Sequence, residues 1–449
     1  MKKSLLISLF SLLLIIIGCR SDDFDGATTL QPVPFTVFVK FDQSVGGYVA
    51  KNSTVKLKND ATGEEFSGKT DDSGELKLTQ VLPGTYSVIA DLTLNKDDYY
   101  TLFGITTTKA EVNFNGSQEK VTINANIGST NITLSNGTVG DWVIKQIYYA
   151  GSDTKNGALF RDQFIEIHNN SNKVMYADGL HIGFLEGNIN NTLASFTLPS
   201  GQFDWSLSPN NSIGSLANTD YVYASAIIKL PGTGNQYPVQ PGESIVIAQT
   251  GINHKAPYTN LKGDDVKIID PTLTIDLSKA DFETYLGDYY LQMGENPLNT
   301  DIQNPLIPDV EIVTWDWNNK DMLLNSNSRN AVVILSGVTD AEIKSFPKIA
   351  NPQKPTGNTF VRLPKTLIMD GVDIGNRNSS IVPKDLTNDI DAGKAGIVSP
   401  SGDIIGDYTS YSVIRKTKTT INGRRVLQDT NNSTNDFVTI KANPKGYAD

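Results

Sequence analysis

The side chains that most often carry hydrolytic or metal chemistry are scarce in this chain of 449 residues, which has three His and one Cys. A Ser-His-Asp triad would need one of His168, His181 or His254 beside an exposed nucleophile, yet the sequence contains no Gly-x-Ser-x-Gly elbow. A zinc cage of Cys and His is equally disfavoured. The sequence therefore predicts no catalytic residue, metal site or cofactor, and we expect His168 and His181 to be polar residues at strand edges.

Carboxylate pairs are a second feature that could support chemistry, because two acids flank the bond that most glycosidases cleave. Such pairs occur at Asp264–Asp265 and at Asp370 with Asp373. Neither sequence context shows a group that would shift a pKa, so ordinary loop acids are the alternative. Glu166 lies between two isoleucines of a predicted strand, which places it on the polar face of that strand.

Aromatic residues in or near predicted loops are the stronger indication of a binding surface, because exposed Trp and Tyr rings stack on sugars and anchor protein interfaces. The candidate binding residues are Trp205, Tyr221, Tyr223, Trp315 and Trp317. Trp315 and Trp317 would share one face of a strand, so the hydrophobic core is the alternative for this pair. A glycan, a peptide or another nutrient would suit such rings.

The first residues have the pattern of an export signal. Two lysines precede an apolar run, Leu5–Ile17, which is too short to span a bilayer comfortably. The run ends in Gly18 and Cys19, and this is the only Cys of the chain. This ending resembles the lipobox of bacterial lipoproteins. The resemblance implies cleavage after a signal peptide, residues 1–18, and acylation of Cys19 with chains such as palmitate.

An acidic stretch follows the predicted lipidation site. Ser21, Asp22 and Asp23 resemble the export tag that sends Bacteroidota lipoproteins to the outer face of the outer membrane, and a solvated spacer is the alternative. Residues 19–32 are predicted to be an acidic tether. The net charge of −11 opposes a phosphate backbone and argues against nucleic acid as a partner. The expected location is the outer membrane, held by the lipid anchor and facing outward.

Residues 33–127 show short alternating segments separated by turn residues. Hydrophobic and polar residues alternate in Phe35–Phe41 and Thr85–Ala90, which predicts antiparallel strands in a sandwich. Thr70–Glu75 and Leu82–Tyr86 resemble motifs of the carboxypeptidase-regulatory-like, prealbumin-type sandwich, and this resemblance implies a spacer or docking module without an active site. The acids of the first motif could also be read as calcium ligands, but they lack the ordered spacing of a known calcium loop.

A second strand pattern occupies residues 140–449. The segments Trp142–Tyr149, Phe164–Ser171 and Tyr176–Ile182 resemble the opening of the lamin-tail domain, an immunoglobulin-like sandwich, and Tyr411–Lys416 resembles its closing part. The predicted fold class is thus mainly β, with a small prealbumin-like sandwich before a larger lamin-tail-like one. The whole layout resembles an uncharacterised Bacteroidota surface lipoprotein family, domain of unknown function 4876.

A loop-rich insertion, at about residues 250–405, separates the two lamin-tail-like parts. Its Lys279–Leu286 segment predicts a short helix, and Thr339–Glu342 predicts a capping box that starts another. The continuous apolar run Ala331–Leu335 predicts a strand that is buried on both faces or covered by these helices.

Location and architecture together favour a non-enzymatic surface lipoprotein. We expect it to capture a ligand or to dock as the extracellular subunit of an outer-membrane assembly, with a β-barrel of the TonB-dependent transporter type as partner. One alternative is a surface hydrolase with its active site in the insertion. Another is a structural or adhesive surface protein.

Overall fold

The structure is a computed structural model that describes residues 30–42, 46–104, 111–134, 142–171, 174–187, 194–317, 319–324, 330–375, 383–398, 406–421 and 424–448. The protein is mainly β, with several sheets and a few short helices. It divides into two compact units, Met1–Leu92 with Gly116–Leu134 and Thr93–Asn115 with Ser135–Asp449. Within the described ranges, no helix is both long and apolar enough to cross a membrane.

The first unit is built from two small sheets. The strands of these sheets are β1 (Val33–Phe41), β2 (Thr54–Asn59), β3 (Glu65–Lys69), β4 (Glu75–Val81), β5 (Gly84–Asn95), β6 (Glu111–Ile123) and β7 (Ser129–Leu134). Helix α1 (Lys96–Phe103), which follows β5, and the adjoining ends of β5 and β6 fall within Thr93–Asn115 and so belong to the second unit. The sheet orders are β4-β1-β7 and β3-β2-β5-β6. Alternate residues of β1, β2 and β7 are buried, as the period of two requires. The last strand ends at Leu134, beyond the predicted boundary at residue 127.

A side chain within the turn stabilises one turn of the first unit. The Asp71 carboxylate accepts hydrogen bonds from the backbone N–H groups of Ser73 and Glu75, at 2.8 and 3.0 Å. Gly74 has a φ of +75°, and a Cβ there would lie 2.6 Å from the carbonyl oxygen of Val39. Glycine is therefore required at this turn by both its backbone conformation and its close contact.

The second unit contains a six-stranded and a seven-stranded sheet. The six-stranded sheet has the order β17 (Phe282–Glu283), β14 (Ser244–Ala248), β9 (Phe164–Asn169), β8 (Trp142–Tyr148), β23 (Tyr411–Arg415) and β26 (Phe437–Lys441). The seven-stranded sheet has the order β20 (Lys348–Asn351), β21 (Lys354–Pro364), β12 (Tyr221–Lys229), β11 (His181–Leu185), β19 (Ala331–Leu335) and β22 (Ile368–Asp373), and β18 (Glu311–Trp315) pairs with β12 beside this path.

Smaller elements connect these strands. Three two-stranded ribbons pair β10 (Met175–Tyr176) with β13 (Pro238–Val239), β15 (Tyr258–Thr259) with β16 (Asp265–Val266), and β24 (Thr417–Ile421) with β25 (Arg424–Leu427). The short helices are α2 (Leu216–Thr219), α3 (Gly287–Gln292), α4 (Asp340–Ser345) and α5 (Ser433–Asp436). Single 3-10 turns occur at Ala194–Phe196, Trp205–Leu207, Pro271–Leu273 and Lys365–Leu367.

The core of the second unit lies between its two large sheets. Ile144 and Ile165 of the six-stranded sheet belong to the same buried cluster as Ile182 and Ile334 of the seven-stranded sheet. The other face of the seven-stranded sheet is covered as well, since Leu185 and its neighbours pack in a second cluster with Ile343 of α4. This double burial explains why β11 and β19 lack polar alternation.

Two sequence predictions for the insertion are confirmed and one is wrong. Ala331–Leu335 is a fully buried strand, and Thr339 starts α4 with a complete capping box. The Lys279–Leu286 segment is not a helix. Phe282 and Glu283 instead extend the six-stranded sheet by pairing in parallel with β14, and the helix begins only at Gly287. Tertiary pairing has overridden the local helical pattern here.

Candidate functional site

The first group of predicted binding aromatics lies in the core. Trp205 and Tyr223 are buried, and their rings stack with centroids 4.0 Å apart. The prediction that these rings are exposed for ligand stacking is wrong. Burying such large rings in a packed cluster removes more apolar area from water than leaving them exposed would. Tyr221 is half-buried, and the guanidinium of Arg362 lies 4.9 Å from the centre of its ring.

Trp315 and Trp317 also belong to the core. Both are buried, and the Trp317 ring stacks on Phe184 with centroids 5.3 Å apart. Both therefore lie in the hydrophobic core, which was the alternative prediction for this pair. The prediction that they are exposed binding residues is wrong, because burying the two rings removes more apolar area from water.

The predicted anchor and export signal lie outside the described residues. Cys19, Ser21, Asp22 and Asp23 precede residue 30, where the described chain begins. Lipidation and surface display therefore stay predictions.

The three histidines are buried rather than placed at exposed edges. Burial lowers the pKa values of His168 and His254 to about 4, so both imidazoles are neutral at pH 7. The Nε2 atom of His181 lies 2.7 Å from a carboxylate oxygen of Asp340. The expectation for His168 and His181 is corrected, since later segments of the chain cover the strand ends where they lie.

Glu166 is also buried, which corrects its predicted place on a polar face. The Nζ atom of Lys145 lies 2.8 Å from its Oε1, and the Ser244 hydroxyl donates a hydrogen bond to the same oxygen. The backbone N–H of Lys445 donates to Oε2, and the ring of Tyr447 lies 3.8 Å from the Lys145 ammonium. The segment around Tyr447 therefore covers this face of the sheet, and the charges beneath it are paired.

The two predicted acid pairs lie in different surroundings. Asp370 accepts two hydrogen bonds from the guanidinium of Arg415, at 2.8 and 3.1 Å, and Arg415 also lies 3.1 Å from Asp429. Asp373 accepts backbone N–H groups from residues 385 and 386. Asp264–Asp265 is exposed, as the loop-acid alternative expected.

A different set of acids, which no sequence pattern indicated, lies close together within the insertion. We call Glu283, Asp301, Asp309 and Asp321 the acid cluster. Glu283 lies at the end of β17 and is buried. Its Oε2 accepts the backbone N–H of Gly251 at 2.8 Å, and its Oε1 accepts that of Asn304 at 2.6 Å. The Glu283 carboxylate thus connects the loop that contains Gly251 to the loop that contains Asn304.

Glycine is needed where Glu283 meets the first loop. A Cβ at Gly251 would lie 2.6 Å from Glu283 Oε2 and 2.7 Å from the Cδ1 of Ile307. The tight approach lets the backbone N–H reach the carboxylate.

Asp309 lies beside Glu283. Its Oδ2 accepts a hydrogen bond from Gln303, but its Oδ1 is buried and has no hydrogen-bond partner among the described residues. Burial raises the pKa of Glu283 to about 7, and the charge of Asp309 adds to this rise while the two backbone N–H groups oppose it. Burial also raises the pKa of Asp309. The two carboxyl groups are thus too close for both to ionise easily.

Asp301 and Asp321 form the deeper half of the acid cluster. Asp301 accepts the backbone N–H of Leu286 at 3.0 Å, and Asp321 accepts from Arg161 at 2.9 Å. Burial, followed by the charge of Asp321, raises the pKa of Asp301. Burial also raises the pKa of Asp321, although Arg161 opposes the rise. Among the described residues, Arg161 is the only cation that donates a hydrogen bond to the acid cluster.

Neutral polar groups lie against the deeper half. Gln249 is fully buried, and its amide lies beside Asp321, whose pKa it lowers. This effect on the pKa comes from a hydrogen bond between the Gln249 side chain and Asp321. The half-buried Tyr285 is close enough to Glu283, Asp301 and Asp309 for their charges to raise its pKa further than burial alone.

The geometry limits what the acid cluster can do. Both oxygens of Glu283 already accept backbone N–H groups, so neither is directed at a substrate. Across the described ranges, no three His, Cys, Asp or Glu side chains are arranged to hold a metal ion. The carboxyl groups of the acid cluster are therefore more easily protonated than exposed acids are.

Comparison with protein families identifies the part of the chain that contains this cluster. Residues 240–444 match the family described as "Protein of unknown function (DUF4876)". This part of the chain belongs to the DUF4876 family. The predicted resemblance to that family is confirmed.

A DUF4876 family protein from Bacteroides thetaiotaomicron, known from its crystal structure, has a similar fold. It is 24% identical, the alignment covers 93% of this chain and 98% of that one, and the TM-score is 0.51. A streptococcal ancillary pilin aligns over 64% of this chain and 62% of its own, at 9% identity and a TM-score of 0.14, which is too low for any inference. No curated protein gives a significant match.

The acid cluster lies wholly within the DUF4876 residues. Its four members are spread from residue 283 to residue 321 without a helical or strand period, so the sequence offered no pattern that joins them. The one local signal was Glu283 directly after Phe282, an acid next to a large apolar residue in a segment whose pattern predicted a helix.

Proposed function

We propose that this DUF4876 protein is a lipid-anchored protein of the outer membrane, displayed on the cell surface, that acts by binding rather than by catalysis. In this proposal it captures a nutrient ligand or docks as the extracellular subunit of an outer-membrane assembly that contains a β-barrel of the TonB-dependent transporter type. The first unit is a carboxypeptidase-regulatory-like spacer, and the second is a lamin-tail-like sandwich with an insertion.

The observation that supports the docking proposal is a set of exposed apolar side chains in the insertion. Its large exposed hydrophobic side chains are Leu261, Ile269, Leu291, Met293 and Leu306, and Leu306 is 88% exposed. Leu261 and the loop that leads to Leu306 are joined by a backbone hydrogen bond from Leu261 to Asn299, at 2.8 Å. Loops on a packed scaffold often carry binding residues, and apolar side chains left in water favour a protein partner.

The anchor is tested separately from docking. Mass spectrometry of the mature N-terminus should show an acylated Cys19. Replacement of Ser21, Asp22 and Asp23 by Ala should abolish protease accessibility in intact cells while lipidation persists. An unmodified N-terminus at another residue would refute the anchor, and accessibility that persists would refute the export signal.

Docking is tested by purifying the full lipoprotein from detergent-solubilised outer membrane. We expect a β-barrel protein to co-purify in a fixed ratio, and we expect Leu306→Asp to lower its yield at least several-fold. Leu216→Asp is the matched control, because Leu216 is also exposed but lies outside the insertion. Equal loss with both variants, or no partner with the native protein, would contradict the proposal.

A surface hydrolase remains the second candidate, since the acid cluster lies in the insertion where such a site was expected. A general acid needs a raised pKa, and Glu283 has one. Its two occupied oxygens argue against this role. Hydrolysis of a glycan or peptide that is abolished by Glu283→Gln, with thermal unfolding unchanged, would favour the enzyme over the binding protein.

A further inference from the structure

We propose that the two-stranded ribbon of β24 and β25 binds an acidic polysaccharide that carries carboxylate groups along its chain. The cations of this ribbon are Lys416, Lys418, Arg424 and Arg425, and we call them the basic ribbon. The proposal rests on the ligand-capture form of the proposed function, and it names the class of ligand. It depends neither on the lipid anchor nor on a β-barrel partner.

The basic ribbon differs in charge from the rest of the protein. Acidic residues outnumber Lys and Arg by 49 to 38 in the whole chain, yet residues 411–428 contain five Lys or Arg and no Asp or Glu. One of the five, Arg415, is buried and paired with acids of the second unit. The other four lie in the ribbon strands or directly beside them. An acidic protein therefore has a local region of positive potential here.

Two lysines of the basic ribbon lack the acidic partners that lysines elsewhere in the second unit have. Lys229, Lys320 and Lys348 each lie 2.6 Å from a carboxylate oxygen. Lys418 is exposed, and within the described part of the chain neither Lys418 nor Lys416 forms an ion pair. Positive charge that the protein does not neutralise itself attracts an anion from outside.

Arg424 is held in position by neutral groups. Its Nη1 donates hydrogen bonds to the carbonyl oxygens of Asn170 and Ser171, both at 2.9 Å. These bonds fix the guanidinium without neutralising its charge. Gly242 lies against the stem of Arg424, since a Cβ on this glycine would be 2.7 Å from the Cγ of the arginine. A fixed planar guanidinium is suited to recognise a carboxylate through its remaining N–H groups.

The base of the ribbon is attached to the six-stranded sheet. Asn170 follows β9, and its side chain accepts the backbone N–H of Leu427 at 2.7 Å and donates to the carbonyl oxygen of that residue at 3.3 Å. The guanidinium of Arg425 lies 4.3 Å from the centre of the Tyr447 ring, and its Nη1 donates to the hydroxyl of Thr417 at 3.3 Å. These contacts place the cations before a ligand arrives, which lowers the entropy cost of binding.

The dimensions of the ribbon favour a narrow polyanion. Strand β24 has five residues, which corresponds to a length of about 17 Å. A flat anionic surface such as a membrane would also meet the rest of a protein whose net charge is −11, whereas one polysaccharide chain can lie along the ribbon alone. The hydroxyls of Thr417 and Thr420 can donate hydrogen bonds to sugar hydroxyls and accept bonds from them. The ribbon therefore offers partners for both the charge and the hydroxyls of an acidic sugar.

Biolayer interferometry of the purified full chain tests the proposal, with polygalacturonate as the acidic polysaccharide and dextran as the neutral one. We expect the chain to bind immobilised polygalacturonate and not dextran. Because salt screens exposed charges, raising NaCl from about 50 to about 500 mM should weaken the binding about tenfold or more.

A pair of double variants locates the binding site. Lys416→Gln combined with Lys418→Gln should weaken binding to polygalacturonate about tenfold or more, because two unpaired cations are lost. The matched control is Lys279→Gln combined with Lys354→Gln, which removes two exposed lysines elsewhere in the second unit and changes the net charge equally. The control should keep the affinity of the unmodified chain. Neither pair of lysines forms ion pairs in the described structure, so both double variants should keep its Tm.

The outcomes distinguish this ligand from other occupants. An unmodified chain that does not bind polygalacturonate overturns the proposal, and so does an equal loss of affinity in the two double variants. Binding to phosphatidylglycerol vesicles without binding to polygalacturonate would assign the ribbon to a membrane surface instead. Dextran bound as tightly as polygalacturonate would overturn the acidic class of ligand while ligand capture itself stands. A β-barrel partner that fails to co-purify leaves these measurements unaffected.

Discussion

The two units of the chain differ in what they bury. The buried polar residues described for the first unit are neutral, Ser53, Asn59, Thr70 and Thr130, and Thr70 illustrates how they are used, since its hydroxyl donates to the backbone of Ala50 nearby. The second unit buries many charged groups, among them the acid cluster and Arg415. The buried charges of the second unit join distant parts of the chain, as Arg415 does with Asp370.

The largest effect should come from removing the closing strands. β23 pairs with β8 on one side and with β26 on the other, so it lies inside the six-stranded sheet. A chain ending at residue 405 should lose the second unit's cooperative unfolding transition, because β8 would expose unpaired backbone and an open apolar face. The first unit should unfold as before. Calorimetry that shows both transitions intact would mean that residues 411–441 are dispensable.

Breaking the charge network around Arg415 should have the next largest effect. Arg415→Met leaves Asp370 and Asp429 buried without their counter-charge, and we expect the free energy of unfolding of the second unit to fall by about 3–5 kcal/mol. Lys348→Met is the matched control. It breaks the more exposed pair with Asp316 and should cost less than about 1 kcal/mol in denaturant titrations. Equal costs would show that burial does not distinguish these pairs.

In the first unit, the comparable test is a substitution in a turn. Gly74→Ala places a Cβ against the carbonyl oxygen of Val39 and should destabilise the first unit by about 1–3 kcal/mol. Gly63→Ala has a similar positive φ but meets open space, so it isolates the backbone cost from the contact. The second unit should be unaffected by either change. Similar losses from both substitutions would refute the steric argument.

A smaller effect should appear with pH. The pKa of Glu283 rises from 4.5 to about 7 on folding, so the folded state holds more protons than the unfolded state between these values. The stability of the second unit should therefore fall as pH rises from 4.5 through 7, by a few degrees in Tm. Glu283→Gln should reduce the slope. A slope that the substitution leaves unchanged would assign the pH dependence to the other buried acids.

The smallest effect should come from a local helix signal in the second unit. Thr339→Ala removes the capping box of α4 and should cost about 1 kcal/mol in denaturant titrations. Lys344→Ala, on the exposed side of the same helix, should be close to neutral. A cost for Thr339→Ala as large as that for Arg415→Met would show that local signals matter as much as the charge network.

The difference between local patterns and contacts between distant residues explains which features could be predicted from the sequence. The capping box at Thr339 depends on neighbours within a few residues, and the strands of the first unit show a local alternation of buried and exposed residues, so both patterns are visible in the sequence. Glu166 looked like a surface residue because its cover, Lys445 and Tyr447, comes from the other end of the second unit. The acid cluster was not predicted, since a loop-rich segment gives no period from which distances between its acids could follow.

The position of β23 inside the six-stranded sheet determines when the second unit can complete its folding during synthesis. Ile144 of β8 and its partner Arg415 are 271 positions apart in the sequence. At 5 to 20 residues per second, synthesis of the intervening chain takes on the order of 15 to 50 s. Throughout that interval one side of β8 has no strand to pair with, so the nascent second unit remains open to aggregation and to proteases until β23 has emerged.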